Sequence, residues 1–258
     1  EMFQAMGKGI DIVSVSTPDH MHGIMAMSAM NLGKHVYVQK PLAQTVGECR
    51  AMREVAHQNK VIVQMGTQGA SSFNDRRAVD WVQRELIGKV TEAGVFCGKS
   101  WGDLKPLPDH QDPVPDGLYW DGWLGVGEKR PFIEKYYHPK NWRRRQDFGT
   151  GTLGDMGCHI FNSMYRGLAL TAPKRVRSKT GVPNQHNWTN NERVEYDFPA
   201  TPYTGGDLKV FWVSGSQRPP RELTALIPKG IKYRFGCLLK GEKGALLLRH
   251  GNTPVLLP

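Results

Sequence analysis

Gly33-Lys34-His35-Val36-Tyr37-Val38-Gln39-Lys40-Pro41-Leu42 is the stretch on which the fold turns. Its core, His35–Val38, is short, β-rich and nearly all apolar, which predicts a strand buried on both faces of a parallel sheet. The run stops at Gln39-Lys40-Pro41. Proline has no N–H for a ladder and disfavours helical angles at the residue before it, so the strand ends there with Lys40 still extended. Open α/β sheets place ligands outside the carboxyl ends of their strands. Lys40 stands at such an end and is the first candidate for chemistry.

On the amino-terminal side, Asp11–Thr17 reads as another buried strand, ending at Thr17-Pro18. His22–Leu32 is an apolar segment of helix length, closed by Gly33. On the carboxyl side, Thr45–Gln58 predicts a helix with Val46, Cys49, Met52 and Val55 on one face. Val61–Met65 is a third strand, ending at Gly66. Strand–helix–strand–helix–strand with tight connections builds a parallel sheet through right-handed crossovers. A complete dinucleotide-binding unit opens with G-x-G-x-x-G and carries an acidic residue after its second strand. Neither is present, and Gly66-Thr67-Gln68-Gly69 is not that turn. The expectation is therefore a partial Rossmann unit lacking its first two βα units, a span of roughly 60 to 90 residues at about 30 per βαβ unit.

Further along, Asn74–Leu86 predicts a helix and Val90–Phe96 a strand. Asp103–Arg130, rich in Pro, Gly and Trp, reads as a long ordered loop or lid, with Trp120 and Trp123 as packing anchors or sugar-stacking platforms. Lys174–Val182, Glu192–Phe198, Leu208–Val213, Gly230–Cys237 and Ala245–Leu248 read as strands of a second, largely antiparallel sheet. The fold class is α/β: a partial Rossmann parallel sheet over 1–68, then an α/β domain with an open, largely antiparallel sheet over 69–258. No internal repeat is visible.

The second chemical stretch is Asp147–Gly167. Glycines 149, 151, 154 and 157 allow close backbone approach, and Thr152 or Asp155 is placed to cap the helix that follows. Asp155, His159, Asn162 and Arg166 then recur at spacings of four, three and four as one polar stripe, with Met156, Ile160 and Met164 forming an apolar stripe on another face. Asp and His at i, i+4 are within reach, so the carboxylate can orient the imidazole, the usual acid/base near neutral pH. The competing reading is a plain solvent face of an amphipathic helix. The dense glycines argue for the chemical one. Zinc binding by Cys158 and His159 is disfavoured, because adjacent helical side chains diverge. His20 and His22 invite a metal reading as well, but this strand end more plainly lines a cofactor crevice, with Asp19 or His20 opening the next helix.

The 258 residues suffice for one large or two medium domains, and 39% hydrophobic with 22% charged describes a soluble globular chain. The net charge of +10 is dispersed apart from Arg143-Arg144-Arg145 and Lys174–Lys179. No nucleic-acid motif accompanies it, and it suits a surface that favours anionic ligands such as dinucleotide phosphates. No run reaches the length of a membrane span, and Glu1–Met6 lacks the features of a signal peptide. The four cysteines show neither C-x-x-C nor zinc spacing, which points to reduced structural thiols and leaves the compartment undetermined.

Taken together, Thr17–His22 (T-P-D-H-M-H), Gly33–Leu42 and Gly154–His159 (G-D-M-G-C-H), in that order, resemble three motifs of the Gfo/Idh/MocA oxidoreductases, the relatives of glucose–fructose oxidoreductase and inositol dehydrogenase. Trp142-Arg143 is similar too, and the resemblance covers most of the chain. It implies an N-terminal Rossmann domain for NAD or NADP and a C-terminal α/β domain supporting substrate binding and homo-oligomerisation. It implies Lys40, Asp155 and His159 as catalytic residues: a lysine near nicotinamide and hydroxyl, an acid/base histidine and its acidic partner. It implies cofactor contacts at Thr17, Pro18, His22, Gln39, Lys40, Pro41 and Arg143, with no metal. One departure is Gln39, where the common form of the motif is E-K-P: hydrogen bonding is kept without the negative charge beside Lys40. The expected activity is hydride transfer between a nicotinamide and a sugar, cyclitol or related polyol. Its rivals are glycoside cleavage through transient oxidation and a sugar- or dinucleotide-sensing protein without turnover.

Overall fold

In the computed structural model, which describes residues 2–258, strand and helix alternate from the start. The elements are α1 (Met2–Met6), β1 (Ile12–Val15), α2 (His22–Asn31), β2 (His35–Gln39), α3 (Val46–Asn59) and β3 (Val63–Gly66). The three strands form one parallel sheet in the order β1-β2-β3. Local signals set the ends. Gly33 takes φ +72° after α2, a conformation that costs glycine little. Thr45 closes a capping box on α3: its hydroxyl accepts the Glu48 N–H at 3.1 Å, and the Glu48 carboxylate accepts the Thr45 N–H at 2.8 Å.

Right-handed crossovers carry α2 and α3 to the same face of this sheet. There Ala26, Ala29, Met30 and Met52 bury Val15, Val36 and Val38. The other face behaves differently from expectation. Tyr37 on β2 is 36% exposed and Ile12 on β1 is 66% exposed, so these strands alternate instead of being buried on both faces. Val46 is also corrected to an exposed position. Six residues advance a helix by about 240°, which swings Val46 off the face that carries Met52.

Helix α4 (Phe73–Gln83) and strand β4 (Val90–Cys97) follow, then a long irregular segment containing α5 (Trp120–Leu124). The chain forms two compact units: Glu1–Gly66 with Lys105–Gly151, and Thr67–Leu104 with Thr152–Pro258. The long irregular segment Lys105–Gly151 packs in the first unit. That segment has an aromatic core of its own, built from Trp120, Leu124, Phe132, Ile133, Tyr136, Tyr137, Trp142 and Phe148. Trp120 stacks on Trp123 at 4.9 Å, and Arg145 is buried with its guanidinium 3.4 Å from the Tyr136 ring centre.

The second unit adds α6 (Gly151–Ile160), α7 (Asn162–Gly167), β5 (Arg175–Thr180), β6 (Glu192–Phe198), β7 (Thr204–Ser214), α8 (Arg221–Thr224), β8 (Phe235–Gly241), β9 (Ala245–Arg249) and β10 (Val255–Leu257). Its sheet runs β10-β9-β8-β4-β7-β6-β5, antiparallel except for the β4–β7 pair. Strand β4 is central because Ala93–Cys97 are apolar or small on both faces and all buried. A Cβ on Gly94 would fall 2.3 Å from the Phe211 ring, so only glycine fits there. One face packs Val82, Met156, Ile160 and Met164 over Val95, Trp212 and Leu239. The other buries Phe96, Val213, Leu223, Leu238 and Leu247.

Two strand expectations shift. Residues 230–234 lie outside any strand and β8 begins at Phe235; β10 is an added edge. Gly230 at φ +91° and the exposed Lys232 and Arg234 explain the first. Among the described residues no helix is long and apolar enough to cross a membrane.

Candidate functional site

The parallel pairing of β1 with β2 sets their carboxyl ends side by side. Ser16, Thr17, Pro18 and Asp19 leave one strand; Gln39 and Lys40 leave the other. Together they line a cavity of about 350 Å³ whose far wall is Trp123, His138, Pro139, Trp142 and Arg143. Five residues singled out in the sequence, Thr17, Pro18, Gln39, Lys40 and Arg143, therefore meet at one place within the first unit. The Thr17 hydroxyl is buried here without a hydrogen-bond partner in the protein. Arg143 is fixed from two sides: its guanidinium lies 4.2 Å over the Trp142 ring, and a Cβ on Gly149 would come within 2.6 Å of the Arg143 Cα. Gly149 thus answers a close approach, as glycine-dense entries do. The Lys40–Pro41 peptide is cis.

His22 and Pro41 do not line that cavity. His22 is 1% exposed, with Nδ1 2.6 Å from the Pro41 carbonyl and Nε2 2.9 Å from the Thr17 carbonyl. Its ring is a strut between the two strand ends. The histidines of Thr17–His22 divide their work, and His20 points into the aromatic segment. Asp19–Met21 form a single 3-10 turn before α2. His20 Nε2 donates to the Leu124 carbonyl at 3.1 Å, and its ring meets Phe148 edge-on at 4.9 Å. Asp19 is buried and accepts the Thr150 hydroxyl at 2.8 Å. These bonds hold the wall bearing Trp123 and Arg143 against the strand ends. Trp123 and His138 carried no periodicity or motif that assigned them to this wall; Trp142 was marked only by the resemblance of the Trp142-Arg143 pair.

Burial pushes the His20 imidazole below its ordinary 6.5, opposed in part by the Leu124 carbonyl. A base held neutral in the fold binds its proton more readily once unfolded, so stability is lost as pH falls below 6.5. Thermal unfolding followed from about pH 8 to about pH 5 should show the melting temperature dropping on the acid side. His20→Gln, which keeps a donor for Leu124, should flatten that drop. An unchanged slope would remove His20 from the anchoring role.

Asp155 and His159 belong to the second unit, on α6. That helix begins at Gly151, so Thr152 and Asp155 lie within it and do not cap it. The Thr152 hydroxyl instead accepts the Trp101 backbone N–H at 2.8 Å. Asp155 is 6% exposed, accepts the Trp101 indole N–H at 2.6 Å and has Lys99 at 3.8 Å. A plain solvent face does not describe it.

The predicted stripe divides after His159, because α6 and α7 are separate helices. Asn162 donates to Asp75 at 2.9 Å, Arg166 lies 3.3 Å from the same carboxylate, and Ser163 also donates to it. These side chains tie α7 to α4. His159 turns toward His250, with ring centres 5.0 Å apart, and its Nδ1 is enclosed. Both rings line a cavity of about 30 Å³ with Asp75, Ser163 and Arg249. That is room for one or two waters. The cysteines form no disulfide among the described residues; burial pushes the Cys97 thiol up to about 11 and raises Cys237 as well, which makes both poor nucleophiles.

The parallel-sheet unit carries a lysine at its strand-end crevice, and the mixed-sheet unit carries an Asp and a His on one helix. Residues 1–67 match the oxidoreductase family model for an NAD-binding Rossmann fold, and residues 77–201 match that family's C-terminal alpha/beta domain. The chain belongs to the Gfo/Idh/MocA oxidoreductase family.

It is 25% identical over 249 residues to a scyllo-inositol 2-dehydrogenase (NADP(+)) of Bacillus subtilis, covering 95% of this chain and 56% of that one. It is 27% identical over 160 residues to a levoglucosan dehydrogenase of Pseudarthrobacter phenanthrenivorans, covering 59% of this chain and 32% of that one. The chain therefore spans about a third to little over half the length of these curated relatives. Aldose-aldose oxidoreductase from Caulobacter crescentus, solved with glycerol, has the same fold at a TM-score of 0.61 and 18% identity, over 99% of this chain and 65% of that one.

Proposed function

We propose that this protein is an NAD(P)-dependent dehydrogenase acting on a hydroxyl of a sugar, cyclitol or related polyol. The observation that carries the reading is the assembly of Thr17, Pro18, Gln39, Lys40 and Arg143 around one cavity at adjacent strand ends. The cavity suits a nicotinamide dinucleotide: Thr17 offers an orphaned buried hydroxyl and Arg143 a positioned cation. Trp123 and Trp142 offer aromatic surface beside them. Thr17, Pro18, Gln39 and Arg143 would hold the dinucleotide, and His22 would keep their strand ends in place.

When bound, the nicotinamide supplies the hydride acceptor or donor. Lys40 Nζ donates hydrogen bonds to the reacting oxygen and stabilises charge developing on it. His159 takes the hydroxyl proton. Asp155, held by the Trp101 indole, orients a neighbouring hydroxyl or the imidazole. The basic surface favours the dinucleotide's phosphates, and we place self-association on the open sheet of the second unit.

The deciding experiment incubates the whole protein with NAD or NADP and a panel of aldoses and inositols while reduced nicotinamide is followed spectroscopically. Net reduction matched by a keto or lactone product supports the proposal. Glycoside cleavage without net reduction would indicate transient oxidation instead, and tight cofactor binding with no product from any polyol would indicate a sensor.

A further inference from the structure

On the second unit, around the carboxyl ends of β4, β7 and β9, lies a cleft of about 720 Å³ that none of the residues discussed above explains. Its charge is one-sided. Arg218, Lys232, Arg234 and Arg249 line it, with His250 at one end and no carboxylate among the lining residues. Among the described residues, none of these four cations has an ion-pair partner. Elsewhere on the same unit cations are matched, as Lys174 with Asp207 and Arg175 with Asp197 show. Four unmatched positive charges facing one concavity repel one another, an arrangement that a bound anion relieves.

Two of the cations are seated by the backbone. A Cβ on Gly98 would lie 2.8 Å from Arg234 Nε, so the absence of a side chain at position 98 admits that guanidinium. Arg234 Nη2 also reaches the Gly98 carbonyl at 3.5 Å. Arg249 donates to the Thr253 carbonyl at 3.3 Å, while its Nε is buried with no acceptor. Its guanidinium thus holds donor capacity that the protein leaves unused. The floor is apolar and partly aromatic, with Phe96, Val213 and Tyr233. Cations above an aromatic floor match a ligand with a ring or carbon skeleton and a charged oxyanion group.

Arg249, His250 and Asn252 line this cleft and also the small cavity that His159 faces. The two spaces adjoin around the end of β9. We propose that the cleft is a distal subsite for the anionic group, a phosphate or carboxylate, of a sugar whose reacting hydroxyl lies toward His159. Anion binding follows from the cleft itself; only the description of the anion as a sugar rests on the polyol reading above.

Calorimetric titration of the whole protein without cofactor tests it, with glucose 6-phosphate, glucuronate, glucose and inorganic phosphate as probes at constant ionic strength. One or both anionic sugars should bind at least about tenfold more tightly than glucose, the scale of one charge-assisted contact. Preference for glucose 6-phosphate identifies a phosphate site, and preference for glucuronate a carboxylate site. Arg218→Ala with Lys232→Ala, both at exposed positions, should abolish that preference while the melting temperature holds. Arg234→Ala should weaken it, and Lys40→Met should leave it intact. Equal binding of glucose and both anionic sugars, preference unmoved by the double variant, or capture of single-stranded DNA with no binding of the small anions would each overturn the proposal. Anion binding without dehydrogenase activity would remove the polyol reading but not the cleft; turnover of neutral polyols without anion binding would do the reverse.

Discussion

Lys40→Met and His159→Ala are each expected to lower turnover by about 100-fold or more in the whole protein, the scale on which positioned acid/base groups act. Methionine keeps the length and apolar stem of lysine and removes only the ammonium. Lys40 sits at the end of β2, in the wall of the strand-end cavity, half-buried, where its stem can be replaced without opening a core. Dinucleotide affinity should therefore fall much less than kcat. His159→Ala leaves a gap beside His250 but spares Met156, Ile160 and Met164, which hold the helices to the sheet. Its melting temperature should stay close to that of the unmodified protein. The check is kcat and KM with a turned-over polyol, alongside dinucleotide Kd. Unmodified turnover in both variants would sink the assignment of the chemistry to these residues.

The second large effect is structural and reaches function indirectly. His22→Leu should destabilise the first unit by about 2–4 kcal/mol, the usual cost of stranding buried polar groups. The physical reason lies in two carbonyls, those of Thr17 and Pro41, which both face the buried imidazole. Leucine matches the ring's bulk but donates to neither. A loss of that size lowers the melting temperature by roughly 8–16 °C in a domain of this size, at about 4 °C per kcal/mol. Dinucleotide affinity should fall in parallel, because the same two strand ends carry Thr17, Gln39 and Lys40. His22→Gln, which retains a donor, should recover part of both losses. If His22→Leu melted with the unmodified protein, the strut would be wrong and a direct contact with cofactor would be the better account of this residue.

How far each feature was legible follows from the range of the force behind it. The capping box at Thr45-Glu48, the glycine after α2 and the proline after Lys40 act within four residues, and each ended its element where the sequence indicated. The apolar spacing of Met156, Ile160 and Met164 needed only the helical period to predict a buried face. Burial on the second face of β1 and β2 was misjudged, because hydrophobic composition does not say which side a crossover helix covers; that depends on the hand of the connection. The segment 105–151 shows the opposite limit. Its tryptophans and tyrosines have no period, so nothing local revealed that they form a core around Trp120 and Phe148, or that His20 anchors it.

From sequence alone came the alternating α/β plan, the family motifs and the residue types suited to hydride chemistry, because short-range periodicity, capping and motif order are written along the chain. Tertiary structure alone decided that Thr17, Gln39, Lys40 and Arg143 share one cavity, and that His22 braces strand ends. It also decided that unmatched arginines after β7, before β8 and at the end of β9 face a common cleft. Those are meetings between residues up to a hundred or more positions apart, and only the pairing register of the sheets and the path of the long segment bring them within bonding distance.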